Sequence, residues 1–294
     1  MYNQIISNKR RTIFLFGVVL ILIIGLGWFL SWYYNSPGIL VIAVLWSVGQ
    51  ALIAYYRSDK IALSVSGARE ASRENFLELH RIVENLAITA GVVKPKIYVM
   101  PDASINAFAT GRDPAHASVA VTTGLLERLN KTQIEGVISH ELSHIKNYDI
   151  RLMTMIVVLV GAVSLASNLF LRRMWWGGGD RGSDGNGQGK NIIALLGFAL
   201  IILSPIFAWL IQLSISRRRE YLADASGALL TRYPEGLASA LEVIASDKKP
   251  LRAANSATAH LFIASPFKKR AFASWFSTHP DVKDRIKKLR EMTD

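Results

Sequence analysis

The sequence contains one arrangement of side chains that is typical of metal-dependent hydrolysis. His140, Glu141 and His144 form a His-Glu-x-x-His pattern, in a chain of 294 residues that has only six histidines. Residues four apart on a helix project from one face about one turn from each other, so both imidazoles can bind one tetrahedral zinc ion. Glu141 lies between them, badly angled for the same ion but well placed to take a proton from a metal-activated water. Two solvated histidines on a structural helix are the weaker interpretation.

The absence of cysteine narrows the chemistry further. It excludes a disulfide framework, a cysteine nucleophile and a Cys-ligated zinc or iron–sulfur site. Structural zinc sites usually have four protein ligands, often Cys, and no open coordination position. The absence of Cys therefore favours a catalytic metal over a structural one. Any metal here must be held by His, Asp or Glu.

A catalytic zinc ion needs a third protein ligand and one open position. The longer pattern that continues with Gly and a third His is excluded, because Asn147 and Ile150 stand at those positions. Glu220 is the best candidate from elsewhere in the chain. Asp224 lies on the same helix face, so one carboxylate can bind the metal while the other orients an imidazole. The other candidates that remain open are Glu235, Glu242, His260 and His279.

A helix must carry the two histidines, and the sequence predicts one. The segment 132–135, Thr-Gln-Ile-Glu, has the pattern of a capping box, so we expect the helix to begin there. Apolar residues then recur at helical spacing and predict its buried face: Ile134, Val137, Ile138, Leu142 and Ile145.

Strands are predicted upstream of this helix, at 96–100 and 118–122. The segment 106–111 between them has extended, small-residue character. It is either an exposed edge strand that pairs with the backbone of a peptide, or an ordinary strand of the sheet core.

Long uncharged runs predict membrane spans. Each run is as long as the ~20 helical residues that cross a ~30 Å hydrocarbon core. The first run is too long for a signal peptide and no small-x-small cleavage site follows, so we expect a span. The prediction is four transmembrane helices in two hairpins, with buried core helices as the alternative for the last two runs. The runs are 12–34, 37–56, 152–171 and 192–215.

The polar remainder predicts one domain assembled from two segments, 57–151 and 216–294, since neither is comfortably large alone. The first hairpin, with a basic N terminus, occupies 1–56, and the second, with a Gly-rich outer loop, occupies 152–215. His144 and Glu220 each lie a few residues from a span, so both fall within roughly 15 Å of the membrane surface. A hairpin that leaves and returns on one side brings them together.

The net charge of +12 is best explained as a signal of membrane topology. Basic residues cluster beside the predicted spans, at 9–11, 57–60, 146–151 and 217–219. Such clusters favour the cytoplasmic side of a membrane. We therefore predict a multi-pass protein of the cell (inner) membrane, with its active site in the cytoplasm. The bilayer is its partner, and nucleic acid is not, because stacking aromatics are not interleaved with the charge.

Taken together, these features resemble the HtpX family of membrane-bound zinc metalloproteases, relatives of the CAAX prenyl endopeptidases. The resemblance rests on the segments 106–111, 140–144, 220–224 and 276–280 and on the four-span layout, and it covers nearly the whole chain. Asp281 departs from the family pattern, which has a second Pro there.

The resemblance implies that His140, His144 and Glu220 bind one zinc ion per chain and that Glu141 is the catalytic residue. It implies an α+β, thermolysin-like domain whose 106–111 strand lines the substrate cleft. For bacterial members it implies endopeptidase activity on damaged or misassembled membrane proteins.

The predicted reaction is hydrolysis of peptide bonds in protein substrates, with Glu141 first as base and then as acid. His279 or Arg285 is the expected donor to the oxyanion. Two alternatives remain. One is a prenyl-CAAX-type peptidase, which the count of four spans disfavours, and the other is a non-catalytic membrane scaffold stabilised by zinc.

Overall fold

A computed structural model describes most of the chain and contains both helices and strands. Of the predicted second hairpin it describes only 152–159, and the Gly-rich loop and His279 lie outside the described residues. The described ranges are 2–159, 217–247, 249, 251, 258–264 and 280–292.

Two long helices form the N-terminal hairpin. Helix α1 spans Tyr2–Tyr33 and α2 spans Pro37–Val65. Asn35, with a φ of 48°, makes the tight turn, and Pro37 starts the second helix, where its fixed φ is favourable. Both helices are long and apolar enough to cross a membrane, by length and composition. Large apolar side chains such as Trp28, Trp32, Ile42, Leu45 and Trp46 are exposed on their outer faces.

A four-stranded mixed sheet supports the helix that carries the two histidines. The strand order is β1-β2-β4-β3, in which β2 and β4 are parallel and the other pairs antiparallel. The strands predicted at 96–100 and 118–122 are present. Strand β3 is both an edge strand and buried, so it combines the two interpretations of that segment. The strands are β1 Arg69–Glu70, β2 Lys96–Met100, β3 Ala107–Gly111 and β4 Ala117–Thr122.

The helices of the domain surround a central one, α5, which carries His140 and His144. It packs against α3, the sheet, and two helices from the C-terminal part, α7 and α8. Helix α9 in turn packs against α7 and α8. The helices are α3 Leu77–Ala90, α4 Thr123–Arg128, α5 Lys131–Lys146, α6 at 149–159, α7 Arg217–Thr231, α8 Pro234–Ser246 and α9 Val282–Arg290.

Helix α5 begins earlier than the predicted capping box at 132–135. Asn130 is the N-cap, two residues before the expected Thr132. Its Oδ1 accepts the backbone N–H of Gln133 at 3.0 Å, and the Oε1 of Gln133 accepts the backbone N–H of Asn130 at 3.0 Å. Thr132 instead donates its hydroxyl to Asn130 Oδ1. Asparagine is a stronger N-cap than threonine, and this reciprocal pair satisfies the helix start.

Two glycines let the helices around α5 approach it closely. A Cβ atom on Gly136 would lie 2.6 Å from the backbone nitrogen of Leu237 in α8. A Cβ atom on Gly227 in α7 would lie 3.0 Å from the backbone nitrogen of His140. Helix α7 therefore packs directly on the turn of α5 that carries the first histidine.

The first hairpin and the domain share an apolar cluster. Ala62 and Leu63, near the end of α2, belong to it together with Phe108 of β3 and Met153 of α6. Phe262 also belongs to it, with its ring edge-on to Phe108 at a centroid distance of 5.2 Å. The end of α2 is thus buried against the domain, and that packing fixes where the hairpin meets the sheet.

Candidate metal centre

Three of the predicted site residues converge on one point. His140, His144 and Glu220 each offer a ligand atom, and these atoms all lie within 4.8 Å of one another. The two imidazole Nε2 atoms are 3.1 Å apart. Glu220 Oε2 lies 3.8 Å from Nε2 of His140, and Oε1 lies 3.6 Å from Nε2 of His144. All three side chains are buried.

Each imidazole is oriented by a carboxylate on its other nitrogen. Nδ1 of His140 lies 2.9 Å from Asp224 Oδ1, and Nδ1 of His144 lies 3.0 Å from Asp149 Oδ2. An ionised carboxylate only accepts hydrogen bonds, so each Nδ1 carries a proton, and each Nε2 presents a lone pair when its ring is neutral. Arg285 Nη2 also approaches Nδ1 of His140, but at the longer distance of 3.5 Å.

This donor set fits a metal ion. The two Nε2 atoms lie 3.1 Å apart, with the Glu220 carboxylate beside them. The two imidazole nitrogens and the carboxylate make this point electronegative, so it attracts a cation. Histidine ligands whose second nitrogen donates to a carboxylate are usual at protein metal sites, because the carboxylate fixes the ring and strengthens it as a ligand.

The pKa of His144 reflects the same electrostatics. Burial alone lowers it, but the hydrogen bond to Asp149 and the nearby charge of Glu220 outweigh burial and raise the pKa to about 9. The surroundings therefore stabilise positive charge on this imidazole.

Glu141 is held at the same site by the edge of the sheet. Its side chain is 2% exposed. Burial raises the pKa of the carboxyl, and the neighbouring histidines and a hydrogen bond from the Ala109 backbone partly oppose the rise. A carboxylate with a raised pKa is a better proton acceptor near neutral pH. Ala109 lies in β3, so the edge strand and Glu141 are in direct contact.

Arg285 is completely buried and engages Asp224 with two hydrogen bonds. Nε donates to Oδ2 at 2.8 Å and Nη2 donates to Oδ1 at 2.7 Å. Burial by itself raises the pKa of Asp224, but the guanidinium charge outweighs it and holds that pKa well below its usual range. Nη1 also lies 3.8 Å from Glu220 Oε2. The guanidinium proposed as an oxyanion donor is therefore committed mainly to Asp224.

The other candidate ligands that the structure describes, Glu235, Glu242 and His260, are not brought to this point. Glu235 and Glu242 both pair with Arg290 on the exposed side of α8. His260 Nε2 contacts the backbone oxygen of Met153 at 2.8 Å. Within the described ranges, the only cluster suited to a metal ion is that of His140, His144 and Glu220.

Comparison with known proteins places the chain in a family. Residues 73–293 match the model of peptidase family M48. A protease HtpX homolog of Caldanaerobacter subterraneus is 47% identical, over 100% of this chain and 98% of its own. One from Tropheryma whipplei is 44% identical over 99% and 98%, and one from Ligilactobacillus salivarius 41% over 99% and 100%.

The chain belongs to peptidase family M48, among its HtpX proteases. The family prediction is thereby confirmed, and the chain is a membrane metalloendopeptidase. Among solved structures, the crystal structure of S. mikatae Ste24p is similar with a TM-score of 0.49 and 19% identity. The match covers 98% of this chain and 67% of that one.

Sequence reasoning missed two residues at the metal centre of this M48 peptidase. Asp149 is 1% exposed and lies just beyond α5, after a turn at which Tyr148 has a φ of 60°. Asn8 of α1 donates to it. Asn8 and Asp149 lie beside the basic clusters near the predicted spans. Polar residues in such positions are usually solvated, so neither residue was a candidate for the site. A helical pattern could not identify Asp149, because the turn at Tyr148 separates it from the helix of His144.

Proposed function

We propose that His140, His144 and Glu220 bind one zinc ion per chain and that Glu141 is the catalytic residue for peptide hydrolysis. The observation that carries this proposal is the convergence of the three ligand atoms within 4.8 Å, with both imidazoles oriented by carboxylates. Two imidazole nitrogens and one carboxylate are a common ligand set for catalytic zinc, whereas Ca²⁺ and Mg²⁺ prefer oxygen ligands. Three protein ligands also leave a position open for substrate chemistry.

When bound there, zinc supplies an acidified water and a Lewis acid for the scissile carbonyl. Glu141 takes the proton from the attacking water and holds it on its carboxylate. It then delivers that proton to the amine that leaves as the C–N bond breaks. The backbone of Ala109 stabilises the ionised carboxylate, and burial favours the protonated form that exists between these two transfers.

The substrate is a polypeptide in extended conformation beside β3. Edge strands bind extended peptides through backbone hydrogen bonds. At one end of β3, the Ala107 carbonyl already accepts the N–H of Ile263 at 3.0 Å. Glu141 meets the same strand at Ala109, so we place the scissile bond beside that residue.

We infer that the substrates are damaged or misassembled proteins of the cell (inner) membrane. In this proposal the domain is thermolysin-like, four helices in two hairpins span the bilayer, and the cleft faces the cytoplasm. The two apolar helices and the basic residues beside them support it.

Two isosteric variants test the separate roles of the carboxylates. Glu141→Gln should keep one zinc ion per chain and lose proteolysis, because the amide cannot accept a proton. Glu220→Gln should lose zinc itself, because a neutral amide is a poor ligand. Zinc content and casein cleavage would be measured on full-length protein in detergent, with and without chelator. Glu242→Gln, an exposed candidate ligand, is the control.

Retained proteolysis in Glu141→Gln would exclude the proposed catalytic role. Undiminished zinc in Glu220→Gln would exclude the third ligand. Zinc binding by the parent protein without any chelator-sensitive cleavage would favour the non-catalytic scaffold.

A further inference from the structure

The first helix of the N-terminal hairpin reaches the metal centre through one side chain. Asn8 of α1 is 3% exposed, and its amide Nδ2 makes two hydrogen bonds. It donates to the backbone oxygen of Asn147 at 3.0 Å and to Asp149 Oδ1 at 2.6 Å. An amide nitrogen has two hydrogens, so its donor capacity is completely used.

Asp149 connects that amide to a metal-ligand candidate. Its Oδ2 accepts from Nδ1 of His144 at 3.0 Å, while Oδ1 accepts from Asn8 and lies 3.7 Å from Arg219 Nε. A carboxylate bonded at only one oxygen can rotate about its Cβ–Cγ bond. Bonds at both oxygens fix its plane, and so fix the imidazole that depends on it.

The contact lies at the edge of the membrane-spanning part of α1. Asn8 is one helical turn, about 6 Å, before Thr12, where the uncharged run begins. The next residue, Lys9, places its Nζ 4.5 Å from the ring centroid of Tyr148, in the same turn that carries Asp149. Two consecutive residues of α1 therefore hold the segment 147–149.

We propose that Asn8 is a positioning residue for the metal centre: by fixing Asp149 it fixes His144, so that metal affinity depends on the seating of α1 against the domain. This inference rests on the proposed function, in which His144 is a ligand. It adds that a membrane helix participates in metal binding, although it supplies no ligand. Loss of the Asn8 contact would free the orientation of the His144 imidazole. The zinc dissociation constant measures that change.

Asn8→Ala removes both hydrogen bonds. We expect its zinc dissociation constant to rise roughly tenfold, the lower end of the loss caused by removing groups that orient metal ligands. Thr12→Val is the matched control, because Thr12 is as buried on the same helix but donates only to the Asn8 backbone oxygen, at 2.8 Å. Zinc would be titrated into metal-free, full-length protein in detergent against a chromophoric chelator.

A double variant separates positioning from general destabilisation. If Asn8 acts through Asp149, Asn8→Ala should add nothing measurable in an Asp149→Ala background, because residues that act as a unit are not additive. A purely structural role would lower zinc affinity by the same factor in both backgrounds. That result, or an affinity for Asn8→Ala equal to that of Thr12→Val, would overturn the proposal.

A measurement on the unaltered protein covers the case in which Asn8→Ala does not fold. By linkage, if the seating of α1 strengthens zinc binding, zinc must strengthen the seating of α1. Amide hydrogens of residues 5–12 should therefore exchange more slowly with zinc than without it, and equal exchange would contradict the proposal. Absence of zinc binding in the parent protein would instead refute the proposed function.

Discussion

At the scale of single residues, the two candidate histidine ligands are supported in different ways. His140 is backed by Asp224, which is held by the buried guanidinium of Arg285. His144 is backed by Asp149, which is held by the neutral amide of Asn8, with Arg219 further away. The first imidazole is thus supported by a strong ion pair within the domain, and the second by a contact with the first hairpin.

The Asp224–Arg285 pair should dominate the stability of the C-terminal part. Asp224→Ala leaves a fully buried guanidinium without its carboxylate, and we expect the free energy of unfolding to fall by about 3–5 kcal/mol. Chemical denaturation of metal-free protein in detergent would measure the change, so that altered zinc binding does not contribute.

The chain offers a matched control for that experiment. Glu235 also pairs with an arginine of α9 through two short bonds, at 3.0 and 2.8 Å from Arg290 Nε and Nη2. That pair is exposed, where solvent screens the charges, so Glu235→Ala should change the unfolding midpoint little. Equal losses in the two variants would show that burial of the Asp224–Arg285 pair is unimportant.

The sequence predicted the ligand cluster and a carboxylate, Asp224, that could orient an imidazole, but it did not predict Asp149 or Asn8. Spacing alone places His140 and His144 on one helix face, because the helical period is known. Asn8 and Asp149 are 141 residues apart, and their contact depends on how the hairpin packs on the domain. Local patterns contain no information on such a contact. The same reason explains why Arg285 was predicted to face the oxyanion and instead engages Asp224.

At the scale of helices and strands, the close approach of α7 to α5 sets the position of Glu220. Gly227 lies two turns after Glu220 and packs on the backbone of Ser139 and His140. The helix and strand types were predictable from apolar spacing. The close approach of α7 to α5 was not predictable, because a glycine within a helix does not indicate which neighbouring element packs against it.

Gly227→Ala should weaken metal binding without touching a ligand. The added Cβ would lie 3.0 Å from the His140 backbone nitrogen and from Ser139 Oγ, so we expect α7 and α5 to separate by a few tenths of an ångström. We expect roughly a tenfold loss of zinc affinity and about 1–3 kcal/mol of stability. Isothermal titration and thermal unfolding would measure the two effects.

Gly49→Ala is the control for that variant, since nothing lies within 4 Å of the Cβ it would add to α2. It tests the effect of alanine in a helix without a clash. Full zinc affinity in Gly227→Ala would show that the ligand geometry tolerates a shift of α7.

At the scale of the whole molecule, contacts among the described residues join the two ends of the hairpin to the domain. The end of α2 packs into the cluster around Phe108 and Phe262, and the start of α1 bonds to the segment 147–149. Both contacts lie on the side of the hairpin away from the turn at Asn35. We therefore expect that turn and the domain to face opposite sides of the bilayer.

The absence of cysteine makes this topology directly testable. Ser36→Cys places a single thiol at the turn, and Ser72→Cys places one on the exposed surface of the domain. In intact bacterial spheroplasts, a membrane-impermeant maleimide should label the first variant and should label the second only after lysis. Labelling of Ser72→Cys from outside would reverse the proposed orientation.

The buried Asp224–Arg285 pair also has a consequence for the order of events during synthesis. A ribosome makes the helix of His140 and Glu141 well before Glu220, and Arg285 emerges later still. In the interval, the nascent chain holds the proposed catalytic carboxylate but neither the proposed third ligand nor the guanidinium that secures Asp224. We therefore expect the unfinished peptidase to be harmless to its own emerging segments and to the translocation machinery beside it. The order of residues along the chain would then delay activity until the domain is assembled at the membrane.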